Sequence, residues 1–188
     1  MFTLNSFTVT HKNKQFYDCI FNENSRSIRD SIFTTLIIGE NGVGKSFLLS
    51  TLLDFFRYVG GLSKNRSFKY EEVDVSYTIG EYDFSIIKRK EIISYQKNGL
   101  DISFDELLMP NKLLALSFMV NDKFSFTNNL DDSYKYLGVR TTSNATYTSS
   151  IQKKLLSSFL LSIGDLNRIE ALKQVFNFLE LRNVLKAV

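Results

Sequence analysis

The sequence predicts an α/β fold, and three observations lead to this prediction. A glycine-rich loop at residues 39–46 stands between a run of apolar and β-branched residues and a stretch with helical periodicity. Residues 68–104 mostly alternate apolar and polar positions, which predicts an antiparallel β meander. Residues 151–188 carry apolar stripes at helical spacing. We therefore expect a lobe built from a sheet and a helix, followed by an α-helical segment.

The glycine-rich loop has the residues that a phosphate-binding loop requires. Its sequence fits the pattern G-x-x-x-x-G-K-S/T. The glycines let the backbone curl so that its N–H groups form a concave nest for oxyanions. Lys45 can reach the outer phosphates, Ser46 can offer its hydroxyl to Mg²⁺, and the following helix directs its N-terminal dipole at the same place. The loop thus predicts a nucleoside-triphosphate site.

The segments on both sides of the loop support this interpretation. Residues 33–38 are β-branched and apolar and predict a buried strand that leads into the loop. Residues 47–59 repeat apolar positions every three or four residues and end at Gly60 and Gly61, which predicts a helix. The predicted phosphate-binding residues are Gly39, Glu40, Asn41, Gly42, Val43, Gly44, Lys45, Ser46 and Phe47.

Strand patterns occupy most of the remaining first part of the chain. Residues 2–10 and 15–21 predict an opening hairpin, with a polar loop after it. Asn98-Gly99, between two strand patterns, is a strong type I′ hairpin signal. Residues 112–120 form an apolar run that predicts a parallel strand beside the strand before the loop.

The composition shifts once, at residues 141–150. This stretch is rich in Ser and Thr and predicts a linker between a lobe at residues 1–140 and a helical part at residues 151–188. The helical part is expected to be a helical hairpin or the start of a helical insertion. Its apolar pattern runs to the last residue with no capping signal, which we expect of the N-terminal part of a longer protein.

Composition and charge exclude several other classes of site. The formal net charge is +3, too small to indicate a nucleic-acid partner by itself, and the basic residues 88–90 are expected at a solvated strand end. The chain has one Cys and one His, which excludes an intramolecular disulfide and a zinc site formed by these two residue types. It has neither 18 consecutive apolar residues nor a signal-peptide pattern, so we expect a cytoplasmic protein with no direct membrane insertion.

Hydrolysis would need an acidic residue at the end of a second strand to hold Mg²⁺. The nearest candidates are Asp105 and Glu106, which follow residues that alternate with polar positions. A second candidate, residues 130–132, has a weaker context. A convincing second acidic motif is therefore missing, and no catalytic residue can be assigned. Either the active head needs a longer chain, or this chain binds nucleotide without hydrolysing it.

The loop contains Glu-Asn-Gly, follows a two-stranded opening and precedes a Phe- and Leu-rich helix. In these features the chain resembles the P-loop ATPase heads of the ABC type in the SMC, RecF and OLD families. The resemblance covers residues 1–140. Residues 114–124, with Asp122-Lys123-Phe124, and residues 136–140 look like bacterial anti-phage defence ATPases of the Septu or retron-associated kind.

That resemblance implies ATP and Mg²⁺ as ligands, with Lys45 on the β- and γ-phosphates and Ser46 on Mg²⁺. It also implies a homodimer or higher oligomer formed through ATPase heads, a nuclease effector as partner, and DNA or RNA in the assembly. The family has a Gln that contacts Mg²⁺, and Gln152 is the candidate for that residue. The alternative interpretation is that Gln152 is a surface residue of a helix. Residues 161–165 look like a degenerate copy of the family signature and are treated as a helix break.

Three functions are consistent with these observations. The first is a dimerising ATPase head in a defence or DNA-transaction complex. The second is the nucleotide-binding subunit of a membrane transporter, in which Tyr17 or Phe16 would lie under the adenine. The third is an interaction module that binds nucleotide without hydrolysis.

Overall fold

The computed structural model describes residues 2–22, 34–62, 67–117, 119, 121–126, 133–138, 140, 167, 169, 170, 173 and 174. The strands and the helix are β1 (Phe2–His11), β2 (Lys14–Ile20), α1 (Lys45–Val59), β3 (Glu72–Ile79), β4 (Tyr82–Arg89), β5 (Ile92–Lys97), β6 (Leu100–Ile102), β7 (Leu113–Ser117) and β8 (Tyr134–Gly138). A short 3-10 helix, Phe104–Glu106, follows β6.

A six-stranded antiparallel sheet dominates the described residues. Its strand order is β2-β1-β3-β4-β5-β6, and β7 and β8 form a separate two-stranded sheet. Each pair of neighbours in the large sheet is antiparallel. Within this sheet, only the β1–β3 pair joins described strands that are not consecutive in the chain. The loop and α1 therefore lie in the connection that carries the chain from one side of β1 to the other.

The turns of this sheet use backbone conformations that short hairpins require. Asn98 and Gly99 both have positive φ, at +51° and +78°, as a type I′ turn demands. Lys12 and Asn13 also have positive φ and close the β1–β2 hairpin. The opening hairpin and the Asn98-Gly99 hairpin are confirmed.

One face of the sheet packs against α1. The core contains Phe7, Val75 and Tyr77 from the strands and Phe55 and Phe56 from the helix, all nearly or fully buried. The strand residues alternate inward and outward along β3, whose burial follows the two-residue period of a half-buried strand. The sheet thus fixes the axis of α1, and the axis of α1 fixes where the loop at its N-terminus lies.

Aromatic rings fill much of this interface. The Phe56 ring lies edge-on to Phe2 and Tyr77, with centroids 6.0 and 5.6 Å apart. Phe55 meets Phe68 edge-on at 5.2 Å. Edge-to-face arrangements of this kind suit the ring quadrupoles. Several of the chain's many phenylalanines therefore pack where the helix meets the sheet.

The prediction of an α/β P-loop NTPase lobe of the ABC-ATPase type is wrong as a fold class. The described residues are mostly antiparallel sheet with a single complete helix, α1, where such a lobe would have several helices. The predicted strand before the loop is not formed at residues 34–40. Leu36 and Ile38 are 78% and 83% exposed, and no strand of the described chain pairs with this segment. The predicted parallel partner, β7, pairs instead with β8.

The chain divides into two compact units. One unit comprises residues 1–115 and 121–136, and the other comprises residues 116–120 and 137–188. The linker predicted at residues 141–150 lies outside the described residues. Of the helices predicted over residues 151–188, the structure describes only helical residues at 167, 169, 170, 173 and 174.

Candidate phosphate-binding site

The backbone of the loop adopts conformations that need glycine. Gly42 has φ +90° and Gly44 has φ +95°, a region that residues with a side chain rarely occupy. Gly44 is the N-cap of α1, and its carbonyl oxygen accepts the 2.9 Å hydrogen bond from the backbone N–H of Leu48. The helix therefore begins directly out of a left-handed turn, which bends the chain sharply at the loop.

The Lys45 side chain folds back across the loop. Its ammonium group, Nζ, donates hydrogen bonds of 2.7 Å to the carbonyl oxygens of Gly39 and Glu40. Within the described residues, Lys45 forms no ion pair with a carboxylate. The positive charge of Lys45 thus lies over the loop and is hydrogen-bonded to neutral acceptors.

The N-terminus of α1 is open to an anion. Among the described residues, no side chain forms a capping hydrogen bond there, and the first turn contains no acidic residue. Ser46 is exposed, and the Phe47 side chain is 51% exposed. Helix N-terminal N–H groups without side-chain acceptors attract phosphate through hydrogen bonding and through the helix dipole.

These features provide groups of the kinds that a triphosphate site uses. The positive-φ glycines leave room for backbone N–H groups to approach oxyanions, Lys45 supplies a cation, and the Ser46 hydroxyl is a hard oxygen ligand of the kind that Mg²⁺ accepts. The sequence-predicted residues lie in one continuous turn and the first turn of α1: Gly39, Glu40, Asn41, Gly42, Val43, Gly44, Lys45, Ser46 and Phe47. Gln152, the other proposed Mg²⁺ contact, lies outside the described residues.

The acidic candidates for catalysis are placed far from this loop. Asp105 lines a cavity of about 490 Å³ together with Phe56, in the last part of α1, and Gly60, the C-cap of that helix. The helix has 15 residues and so spans about 22 Å. Asp105 therefore lies near the opposite end of α1 from Lys45. The geometry gives no support to the expectation that Asp105 and Glu106 hold Mg²⁺ at the loop.

Glu106 is engaged in a local structural contact. Its carboxylate accepts 3.0 Å hydrogen bonds from the backbone N–H and the hydroxyl of Ser103, the N-cap of the 3-10 helix. These hydrogen bonds, led by the one from the backbone, lower the pKa of Glu106. In the described part of the chain, no group of three or more His, Cys, Asp or Glu residues is arranged to hold a metal ion. Residues 130–132 lie outside that part.

The basic cluster at residues 88–90 is solvated only in part, because Arg89 and Lys90 are exposed, as the sequence predicts, and Lys88 is buried. Lys88 is 1% exposed, and its ammonium group donates hydrogen bonds to the carbonyls of Tyr70 and Lys90. Burial lowers the pKa of Lys88. Arg89 makes a two-pronged pair with Asp74, at 2.6 and 2.8 Å. Only Lys88 is thus used inside the fold, and the Arg89–Asp74 pair lies at the surface.

The two aromatic candidates for an adenine platform differ in accessibility. Tyr17 is half-buried, its ring stacks on Phe7 at 6.4 Å, and it packs against the hydrophobic core. Burial raises the pKa of Tyr17. Phe16 is 46% exposed and lies beside Tyr70, 5.6 Å between centroids. Of the two rings, that of Phe16 is the more exposed.

Sequence reasoning did not assign a role to Lys123. Its ammonium nitrogen lies 5.3 Å from the centroid of the Phe47 ring. The two residues are distant in the chain and belong to no common motif, so no sequence signal could have brought them together.

Comparison of the chain with protein-family models, with curated proteins and with solved structures finds no match. Within the described residues, none of the helical segments has the length and apolarity of a membrane span.

Proposed function

We propose that the chain binds ATP with Mg²⁺ through residues 39–47. The single observation that carries the proposal is the Lys45 ammonium group, which is held over a loop of positive-φ glycines beside a helix N-terminus that no described side chain caps. On binding, the phosphates would accept hydrogen bonds from loop N–H groups, and Lys45 would exchange two carbonyl acceptors for phosphate oxygens. The carbonyl oxygens are neutral whereas phosphate oxygens are negatively charged, so the exchange adds an attraction between opposite charges.

We further propose that ATP binding in this chain controls a partner. The support is the resemblance of the loop and of residues 114–124 to the heads of SMC-, RecF- and OLD-type ATPases and anti-phage defence ATPases. In such an assembly, paired heads in the cytoplasm would hold ATP between them and gate a nuclease effector, with DNA or RNA present. A chain with one cysteine is compatible with that reducing compartment.

A second candidate is a nucleotide-dependent interaction module that does not hydrolyse ATP. One observation favours it: Asp105 lies near the far end of α1, and Glu106 is used to cap the 3-10 helix. Neither residue can reach phosphates at Lys45 in this arrangement. A transporter subunit receives less support, because Tyr17, one of its two candidate adenine platforms, packs against Phe7 and the hydrophobic core.

The test is calorimetric titration of the purified chain with ATP and with ATPγS in the presence of Mg²⁺, alongside phosphate release. We expect Lys45→Ala to weaken ATP binding by about tenfold or more, equivalent to about 1.4 kcal/mol or more. Lys112→Ala, which removes an exposed lysine outside the loop, is the matched control and should bind as the unaltered chain does. Absence of ATP binding in the unaltered chain would refute the proposal. Binding without turnover would favour the non-hydrolysing module.

A further inference from the structure

A second lysine lies beside the first turn of α1. The ammonium nitrogen of Lys123 is 5.3 Å from the centroid of the Phe47 ring, and Phe47 directly follows Ser46. The side chains of Lys123 and Phe47 are both exposed. Lys123 comes from a segment far along the chain, so tertiary structure, and not the loop sequence, brings this positive charge to the first turn of α1.

The backbone around Lys123 is fixed on both sides. The Asp122 carboxylate accepts a 3.1 Å hydrogen bond from the backbone N–H of Phe124, which closes a turn around Lys123. The hydroxyl of Tyr136 donates to the other oxygen of Asp122. These contacts anchor the turn to β8, and the lysine side chain projects from a fixed base.

The other side of the turn is tied to α1 itself. Ser125 donates a 2.7 Å hydrogen bond from Oγ to Oδ1 of Asp54 in α1. The Tyr134 hydroxyl donates to the Ser125 carbonyl at 2.7 Å. The segment that carries Lys123 is therefore tied to the helix by the hydrogen bond between Ser125 and Asp54.

The charge of Lys123 is available to a ligand. In the described part of the chain it forms no ion pair, and its ammonium group lies against the Phe47 ring. An exposed lysine held by a phenylalanine ring is bound weakly, since such cation–π contacts lose most of their strength in water. A phosphate oxygen is a much stronger acceptor for an ammonium group.

We propose that Lys123 is a second phosphate-binding cation for the nucleotide held at residues 39–46, an inference that rests on the proposed function. Lys45 approaches the phosphates from within the loop, and Lys123 approaches from the side of the helix marked by Phe47. Two ammonium groups that reach the triphosphate from different directions would balance more of its negative charge than Lys45 alone. The ring of Phe47 keeps the second ammonium group near the loop until the ligand arrives.

The test compares ATP affinity in four proteins by calorimetry: the unaltered chain, Lys123→Gln, Lys123→Arg and Lys135→Gln. Lys135 is exposed on β8, so its replacement makes the same change in charge away from Phe47. We expect Lys123→Gln to weaken ATP binding by about three- to tenfold. The Lys123→Arg and Lys135→Gln variants should remain within about twofold of the unaltered chain. Thermal unfolding of each variant verifies that the fold is retained.

The possible outcomes separate this inference from the proposed function. If the unaltered chain binds no ATP, both are overturned. If Lys45→Ala abolishes binding and Lys123→Gln leaves it unchanged, the site is real and only the role of Lys123 is refuted. An equal loss in Lys123→Gln and Lys135→Gln would reveal a general effect of net charge and would also refute that role.

Discussion

Ser125 donates a 2.7 Å hydrogen bond to Oδ1 of Asp54, joining two residues that lie 71 positions apart in the chain. The same carboxylate oxygen accepts a 3.1 Å hydrogen bond from Arg57, one turn further along α1. The Arg57 guanidinium in turn lies 4.2 Å from the centroid of the Tyr134 ring. One carboxylate of α1 thus organises the contact between the helix and the small cluster around β7 and β8.

Replacing Asp54 should therefore weaken the fold measurably. Asp54→Ala leaves Arg57 and Ser125 without their acceptor, and we expect a loss of about 2 kcal/mol in the free energy of unfolding. Asp54→Asn keeps an oxygen acceptor and should cost about half as much. Urea unfolding measures both, with Asp105→Ala as a control for loss of an exposed carboxylate. Equal stability of Asp54→Ala and the unaltered chain would contradict this role.

Gly44 should tolerate a side chain poorly. Its φ of +95° disfavours any L residue, although no described atom lies within 4 Å of the position that a Cβ would occupy. We expect Gly44→Ala to cost about 1–2 kcal/mol of unfolding free energy through backbone strain alone. Gly39 provides a contrast, since its φ is not positive and a methyl group there would lie 3.3 Å from Cγ2 of Val43. Val43 is exposed and can move, so Gly39→Ala should lower the unfolding free energy by less than Gly44→Ala does. A larger loss in Gly39→Ala than in Gly44→Ala would exclude backbone strain as the cause.

Tyr77 should contribute through its hydroxyl as well as its ring. It is fully buried, and its hydroxyl donates a 2.8 Å hydrogen bond to the Leu108 carbonyl. Burial also raises the pKa of Tyr77 well above its ordinary value. Tyr77→Phe removes the donor for Leu108 and should lower the unfolding free energy by about 1–2 kcal/mol. Tyr82→Phe, at a 45% exposed ring, is the matched control and should change stability little. A similar loss in both variants would argue against the hydrogen bond.

Glu106 should make stability depend on pH in the acidic range. Its pKa is lowered in the folded protein by hydrogen bonds from Ser103, so the folded state favours the ionised carboxylate. The contribution of Glu106 to stability is therefore fully present above the pKa that its carboxyl has in the unfolded state. It is lost as the pH falls through the pKa that the carboxyl has in the folded state. The melting temperatures of the unaltered chain and Glu106→Gln should converge as the pH falls from about 6 to about 3. A constant difference across that range would show that ionisation plays no part.

Local signals in the sequence were sufficient to predict the turns and the loop. Asn98-Gly99 specifies its own turn, because few residue pairs tolerate two consecutive positive φ values. The spacing of Gly39, Gly44 and Lys45 likewise fixes a local geometry, and the structure places Lys45 over the carbonyls of its own loop. These features depend on neighbours in the chain and can be inferred without knowledge of the tertiary structure.

The pairing of strands could not be predicted in the same way. The apolar pattern at residues 33–38 indicates that the segment suits a buried strand, but a strand forms only where a partner completes its hydrogen bonds. In the described chain β7 pairs with β8, and residues 34–40 have no partner strand. The placement of Lys123 beside Phe47 and of Lys88 in the interior could not be predicted for the same reason, since both depend on contacts between distant segments.

The position of β1 between β2 and β3 has a consequence for how the chain folds. Ser6 on β1 meets Ser76 on β3 across 70 residues of chain, whereas β3 to β6 are joined by short hairpins. The hairpins can form in microseconds, but the β1–β3 contact must wait for closure of a long loop. The glycine loop and α1 lie within that long segment and should acquire their final geometry late. A ligand of the loop would therefore slow unfolding while leaving the rate of folding almost unchanged.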